Sequence, residues 1–168
     1  MRVGHIQFYG GIIALIAYIA FAFSAFNDYS NQHANYWDLA DKSSSIEDKY
    51  IYIDKMVESL ESSNLQGHHN ALLYKNPSNE FNSNLKALTS LRDRLNEIKC
   101  MNVSSFEYQT AMSQITAQEQ GEAEAMLAVI QGCWFKEHHF FLWNWIAVVI
   151  VIGIIVISCI GGYNILEY

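Results

Sequence analysis

The chain has 168 residues, 51% of them hydrophobic, with 10 Lys plus Arg against 17 Asp plus Glu and a formal net charge of −7. That length holds one domain of ordinary size beside any apolar segments. The acidic balance argues against a nucleic-acid surface or a polybasic clamp on anionic lipid.

All the charged residues except Arg2 and Glu167 lie between two uncharged apolar stretches, 6–27 and 140–166. Each exceeds the roughly 20 apolar residues that cross about 30 Å of hydrocarbon as a helix. The expected layout is therefore a short cytoplasmic tail at 1–5, a transmembrane helix at 6–27, an extracytoplasmic helical domain at 28–139, a second transmembrane helix at 140–163 and a short cytoplasmic tail at 164–168. The orientation rests on the inside-positive rule: Arg2 flanks the first stretch, and the far flank of the second has no cation. The opening also resembles a secretory signal, with Ala20, Ala22 and Ser24 as small residues near its end. The stretch is longer than a typical signal core, so an uncleaved anchor is expected. The location that follows is a bacterial inner membrane or other plasma membrane, with the domain periplasmic or extracellular.

The domain reads as all-α. Ile46, Tyr50, Ile53, Val57 and Leu60 recur at spacings of four and three, which predicts a helix over 45–63 with Ser44 and Glu47 as its capping box. The sequence leaves open whether the first span continues into it through Tyr29, Tyr36 and Trp37, aromatics that suit a membrane interface either way. After a polar stretch, Asn76 and Pro77 form an N-cap and N1 pair. They open a helix carrying Phe81, Leu85, Leu88, Leu95 and Ile98, which ends near Cys100. Ser104 and Glu107 form a second capping box for a last long helix with Tyr108, Met112 and Ile115 on its apolar face.

A chain that leaves and re-enters a membrane on one side needs an even number of long legs, and three are visible. A break of the last helix near Gly121 supplies a fourth, giving an antiparallel bundle of three to four helices. That break brings Cys100 close to Cys133, and two cysteines in an oxidising compartment usually pair, so a Cys100–Cys133 disulfide is expected. The alternative keeps the last helix as one rod and makes 64–76 the missing leg. Cys133 then lies roughly 43 Å down the rod, beyond reach of any disulfide. Cys159 reads as a small apolar residue of the second span.

Chemistry-bearing patterns are sparse. Glu119 and Glu122 interrupt the apolar stripe of the last helix and make a possible acidic docking patch. Glu58 and Glu61 repeat their spacing, but Glu-x-x-His pairs, which di-iron bundles require, are missing from the sequence. His68-His69 and His138-His139 are adjacent pairs whose rings point apart on a helix. No metal, cofactor or catalytic set is expected. Asn102-Val103-Ser104 matches the glycan acceptor pattern. Gly10, Ala14, Ala17 and Ser24 line one side of the first span, and the second offers Gly153 and the Gly161-Gly162 pair. Small residues let helices approach closely, so these are the expected packing positions.

The function these features imply is non-enzymatic. The first expectation is an accessory or regulatory subunit, or an exclusion factor, that binds a membrane-protein partner or its own copies within membrane lipid. The second is a sensory or ligand-capture module that signals through partner transmembrane helices.

Overall fold

The structure is a computed structural model that describes the backbone of residues 2–101 and 104–166, with side chains except at 2, 107, 112, 114, 116–122 and 166. The glycan pattern at Asn102 and Val103 therefore lies outside the described residues. The elements are α1 (Arg2–Tyr29), a π turn (Ser30–Ala34), α2 (Asn35–Lys42), α3 (Ile46–Glu61), a 3-10 turn (Pro77–Asn79), α4 (Phe81–Ile98), α5 (Phe106–His138), a second 3-10 turn (Phe140–Leu142) and α6 (Asn144–Leu166). Among the described residues there is no strand, only an isolated bridge between His69 and Glu80. The chain forms two compact units, Met1–Asp28 with His138–Tyr168, and the middle unit Tyr29–Glu137. Two helical runs, Val3–Lys42 and Asn144–Ile165, are long and apolar enough to cross a membrane.

Within the middle unit, α2 to α5 alternate in direction. Ser59, near the end of α3, donates to Gln32 O at 2.7 Å, so α3 returns alongside the start of α2. Lys99 sits over the Tyr50 ring at 3.8 Å and Arg92 pairs with Asp54 at 3.7 Å, which sets α4 antiparallel to α3. Phe81 N donates to His68 O, and Lys136 Nζ donates to His69 O at 2.9 Å. The start of α4 thus lies beside the end of α5. The missing leg is therefore α2, the continuation of the first apolar helix, which neither reading of the sequence proposed. Segment 64–76 is an irregular connection instead.

α5 runs unbroken through Gly121. Among its neighbours Gln118, Glu119, Gln120 and Glu122, all tolerated in helices, one glycine costs only about 1 kcal/mol against Ala and does not stop the helix. The Cys100–Cys133 disulfide consequently does not form. Cys133 lies about 40 Å along α5 from Phe106, and Cys100, Cys133 and Cys159 are all free.

Both predicted helix caps shift by one residue. Ser45, not Ser44, accepts from Asp48 N at 3.0 Å to start α3, and Ser105, not Ser104, accepts from Tyr108 N at 3.1 Å at the start of α5. Each belongs to a run of serines, and the one whose backbone turns extended takes the role; for Ser45 this is φ −103, ψ 143. Asn76 and Asn79 do form a capping box, but on the 3-10 turn. Glu80 is extended behind it, so α4 begins only at Phe81.

The core of the middle unit is Ile53, Met56, Val57, Leu60, Leu65, Phe81, Leu88, Leu95, Ile130 and Cys133, all fully buried. Tyr29 closes its lower end against Trp134 and Phe135, with ring centroids 5.4 and 6.0 Å away.

In the other unit, α1 and α6 meet through glycines. A Cβ on Gly161 would stand 2.6 Å from Phe8 N and 2.9 Å from Gly4 O, and one on Gly11 would collide with the Ser158 side chain. Gly4, Gly11 and Ala25 are buried and Tyr18 half-buried, a seven-residue repeat of the kind that forms a helix-pair seam. Tyr18 also donates to Phe141 O at 2.9 Å. Of the expected packing positions, the Gly161-Gly162 pair lies in this contact. Gly10 and Gly153 have nothing within 4 Å, and Ala14, Ala17 and Ser24 are exposed. These lie outside the α1–α6 seam, which admits the larger Leu15 and Tyr18.

Two expectations follow. Gly161→Ala should destabilise the α1–α6 pair by about 1–3 kcal/mol, since backbone atoms cannot yield to the new methyl, whereas Gly10→Ala should be neutral; thermal unfolding in one detergent compares them. Leu88→Ala removes a fully buried side chain and should cost about 2–5 kcal/mol in the same measurement.

Candidate functional site: two cavities beside Trp37

The π turn is the local feature that sets this region. Ser59 has a single hydroxyl hydrogen, which goes to Gln32 O, so at 2.9 Å from His33 Nδ1 its oxygen accepts and that ring nitrogen carries the proton. His33 is thereby buried against α3. Asn35 Nδ2 donates to Asn31 Oδ1 across the turn at 3.2 Å. α2 then presents Trp37, which lines two cavities.

The first cavity, about 710 Å³, lies among α2, α3 and α5. Its walls carry the Asp38, Asp41 and Glu124 carboxylates, the largely buried Lys49 and the rings of Tyr29 and Trp37. Burial pushes the Tyr29 phenol above its ordinary value, so it stays a neutral donor throughout the physiological range.

The second cavity, about 570 Å³, lies between α4 and α5. Its walls are Trp37, Pro77, Ala87, Leu88, Leu91, Ala123, Ala125, Met126 and Val129, and its polar edge is Ser78, Asn79, Ser83 and Asn84. Among the described residues, no charged one lines it. Both volumes fall in the range of small-molecule sites. The polar edge is already engaged in holding the turn. Asn84 Nδ2 donates to Ser78 O and Glu80 O, Ser78 Oγ to Asn76 Oδ1, and Ser83 Oγ to Glu80 Oε2. What Asn84, Ser78 and Ser83 have left are oxygen lone pairs, so these three accept hydrogen bonds, while Asn79, whose Nδ2 donates to Tyr74 O, keeps a second N–H.

Among the described residues, the site positions singled out from sequence do not converge on either cavity. Cys100 is exposed, Cys133 is buried on α5, and Cys159 is exposed on α6. Glu119 and Glu122 fall in α5, but their side chains lie outside the described residues. Glu58 and Glu61 are exposed. His68 pairs with Glu137 at 3.3 Å, while His69 Nδ1 meets Gly67 O, so the two rings serve different partners. Among the described residues, no three His, Cys, Asp or Glu gather as a metal set. Sequence reasoning missed Trp37, taken as an interfacial aromatic, and Lys49, which falls on the buried face of α3 despite its charge. It also missed Asn84, whose role depends on the turn at 77–79. A signal for Gly132 existed: it interrupts an apolar stripe, and a Cβ there would collide with the Asn70 side chain.

No family model matches the chain, and no curated protein or solved structure matches it either.

The free thiols allow a direct check. Burial pushes the Cys133 thiol up to about 11, against the opposing pull of Lys136. In folded protein at pH 8, maleimide should modify Cys100 and spare Cys133, which should react only after denaturation, without reductant. A raised thiol pKa contributes stability that is present below the unfolded value of 9.0 and lost as pH rises toward about 11. Cys133→Ala should therefore flatten the fall in unfolding midpoint across that window.

Proposed function

We propose that the chain is an integral membrane protein whose two spans bracket the helical unit, that this unit faces the exoplasmic side, and that it captures a small ligand in the cavity between α4 and α5. The observation that carries the reading is that cavity: free of charge among the described residues, walled by aliphatic side chains and Trp37, and edged by oxygen acceptors. The matching ligand is a neutral, largely apolar molecule with at least one N–H or O–H donor. A charged ligand would leave its charge uncompensated there. Support for the spans comes from two helical runs of sufficient length and apolarity, and support for the orientation from Arg2.

The same cavity suggests how binding is communicated. Trp37 stands on α2, which continues the first apolar helix, and Met126 and Val129 stand on α5, which leads toward the second. A ligand touching all three bears on both helices that connect the unit to its spans. The output then passes to partner helices, and no catalytic step is assigned.

A second reading, the accessory subunit or exclusion factor, is favoured by the exposed line Gly10, Ala14, Ala17 and Ser24, together with the open space around Gly10 and Gly153. The pair-forming seam leaves that line available to another membrane protein or a second copy.

Calorimetry with indole and 1-methylindole tests the ligand reading on purified protein in mild detergent. Indole should bind, and 1-methylindole, which lacks the donor, should bind at least about tenfold more weakly because the acceptor edge is left unpaired. Ala87→Phe should abolish indole binding by filling the cavity. Equal affinity for the two compounds, or indole binding unchanged in Ala87→Phe, contradicts the assignment. A stoichiometric protein partner in the same detergent, with no bound small molecule by native mass spectrometry, favours the second reading.

A further inference from the structure

Leu72, Leu73 and Tyr74 are three consecutive apolar residues with 58%, 85% and 85% of their surface exposed. Among the described residues of the middle unit, no other large apolar side chains so exposed are adjacent in sequence. The exposure is held in place by the fold. Lys136 Nζ donates to His69 O at 2.9 Å and to Ala71 O at 2.7 Å, fixing the start of the loop to the end of α5. On the other side, Asn79 Nδ2 donates to Tyr74 O at 2.8 Å, and Asn70 N donates to Asn79 O at 2.8 Å. The loop is thus pinned on both sides of an apolar tip that touches little of its own protein.

We infer that this tip enters the surface of a lipid bilayer, the same bilayer that the two apolar helices cross. The inference rests on the two-span reading, and chain reach supplies the argument. Only three residues lie between Lys136 and Phe140, where the second apolar stretch begins, at most about 15 Å of extended chain. The Ala71 carbonyl is bonded to Lys136 itself. The tip is therefore held to the end of α5 from which the chain leads into that stretch. Its composition suits that depth: two leucines for the acyl boundary, then Tyr74 for the headgroup level and exposed Lys75 to reach anionic phosphates. A protein partner would have to cover the same residues from the side, and the positive charge at Lys75 in an otherwise acidic chain matches a phosphate surface better than a random protein face.

The test uses the full chain with Cys100→Ser and Cys159→Ala, leaving the buried Cys133 in place. A nitroxide is attached at Leu73→Cys, at Glu47→Cys near the start of α3, or at Ile157→Cys on the exposed side of α6. Each protein is reconstituted in vesicles of phosphatidylcholine and phosphatidylglycerol, and collision rates with oxygen and with a water-soluble nickel chelate are compared. Leu73 and Glu47 are exposed, so neither label removes a core contact; Tyr74→Cys serves as a second reporter of the tip. The expected result is that labels at Leu73 and Tyr74 favour oxygen, as Ile157 does, while Glu47 favours nickel. A lipid-like Ile157 with Leu73 as nickel-accessible as Glu47 overturns the inference and leaves the two spans standing. A Leu73 label shielded from both reagents overturns it in favour of a protein partner. A nickel-accessible Ile157 overturns the two-span reading and this inference together.

Discussion

Tyr29 against Trp134 and Phe135 is the contact on which the arrangement of the middle unit depends. It joins the point where the chain enters that unit to the point where it leaves, so everything between must go out and come back. A run of helices that alternate in direction satisfies that condition only in even number. The unit meets it by using the continuation of α1 as its first leg, and the polar latch of Ser59 on Gln32 and His33 holds that leg to the next.

Once those ends are fixed, the geometry of the cavities follows from side-chain size. α5 offers Ala123, Ala125 and Ala128 where a tightly filled bundle would carry Leu or Ile, and Trp37 bridges the resulting space from α2. The two hollows beside the indole differ in electrostatic character because α3 contributes Lys49 and α2 contributes Asp38 and Asp41 to one, while α4 contributes aliphatic, hydroxyl and amide groups to the other. Among the described residues, one ring therefore stands between a charged chamber and a neutral one.

Much of this was readable from the residues. The spacing of Ile53, Val57 and Leu60, and of Phe81, Leu88 and Leu95, marked the buried faces of α3 and α4, and all six are fully buried or nearly so. Helix boundaries were less legible, because neighbouring serines compete for the same cap and only backbone geometry chooses between them. The fourth leg was hidden for a different reason. Asn35, Asp38, Asp41 and Lys42 break the apolar pattern that the preceding helix establishes, and a change of composition from apolar to polar looks like an ending even where the helical backbone continues. The cysteines misled because compartment and pairing habit say nothing about distance, whereas an intact 33-residue rod does. The cavities were not legible at all, since they depend on which alanines face which helix.

The π turn at Ser30–Ala34 has a bearing on how this sequence can change over time. Such a turn amounts to one extra residue accommodated within a helix. It rotates every later side chain relative to those before it, which is why Tyr29 can join the aromatic closure while Trp37 reaches the cavities. Relaxation of the five residues to plain α-helix at unchanged length would turn the rest of α2 and carry Trp37 away from both hollows, whereas loss of one residue together with the π turn leaves later side chains near their present faces. A change that strengthens α hydrogen bonding in the turn is therefore more damaging than a one-residue deletion. Descendants of this chain should keep the turn and its extra residue together or lose both.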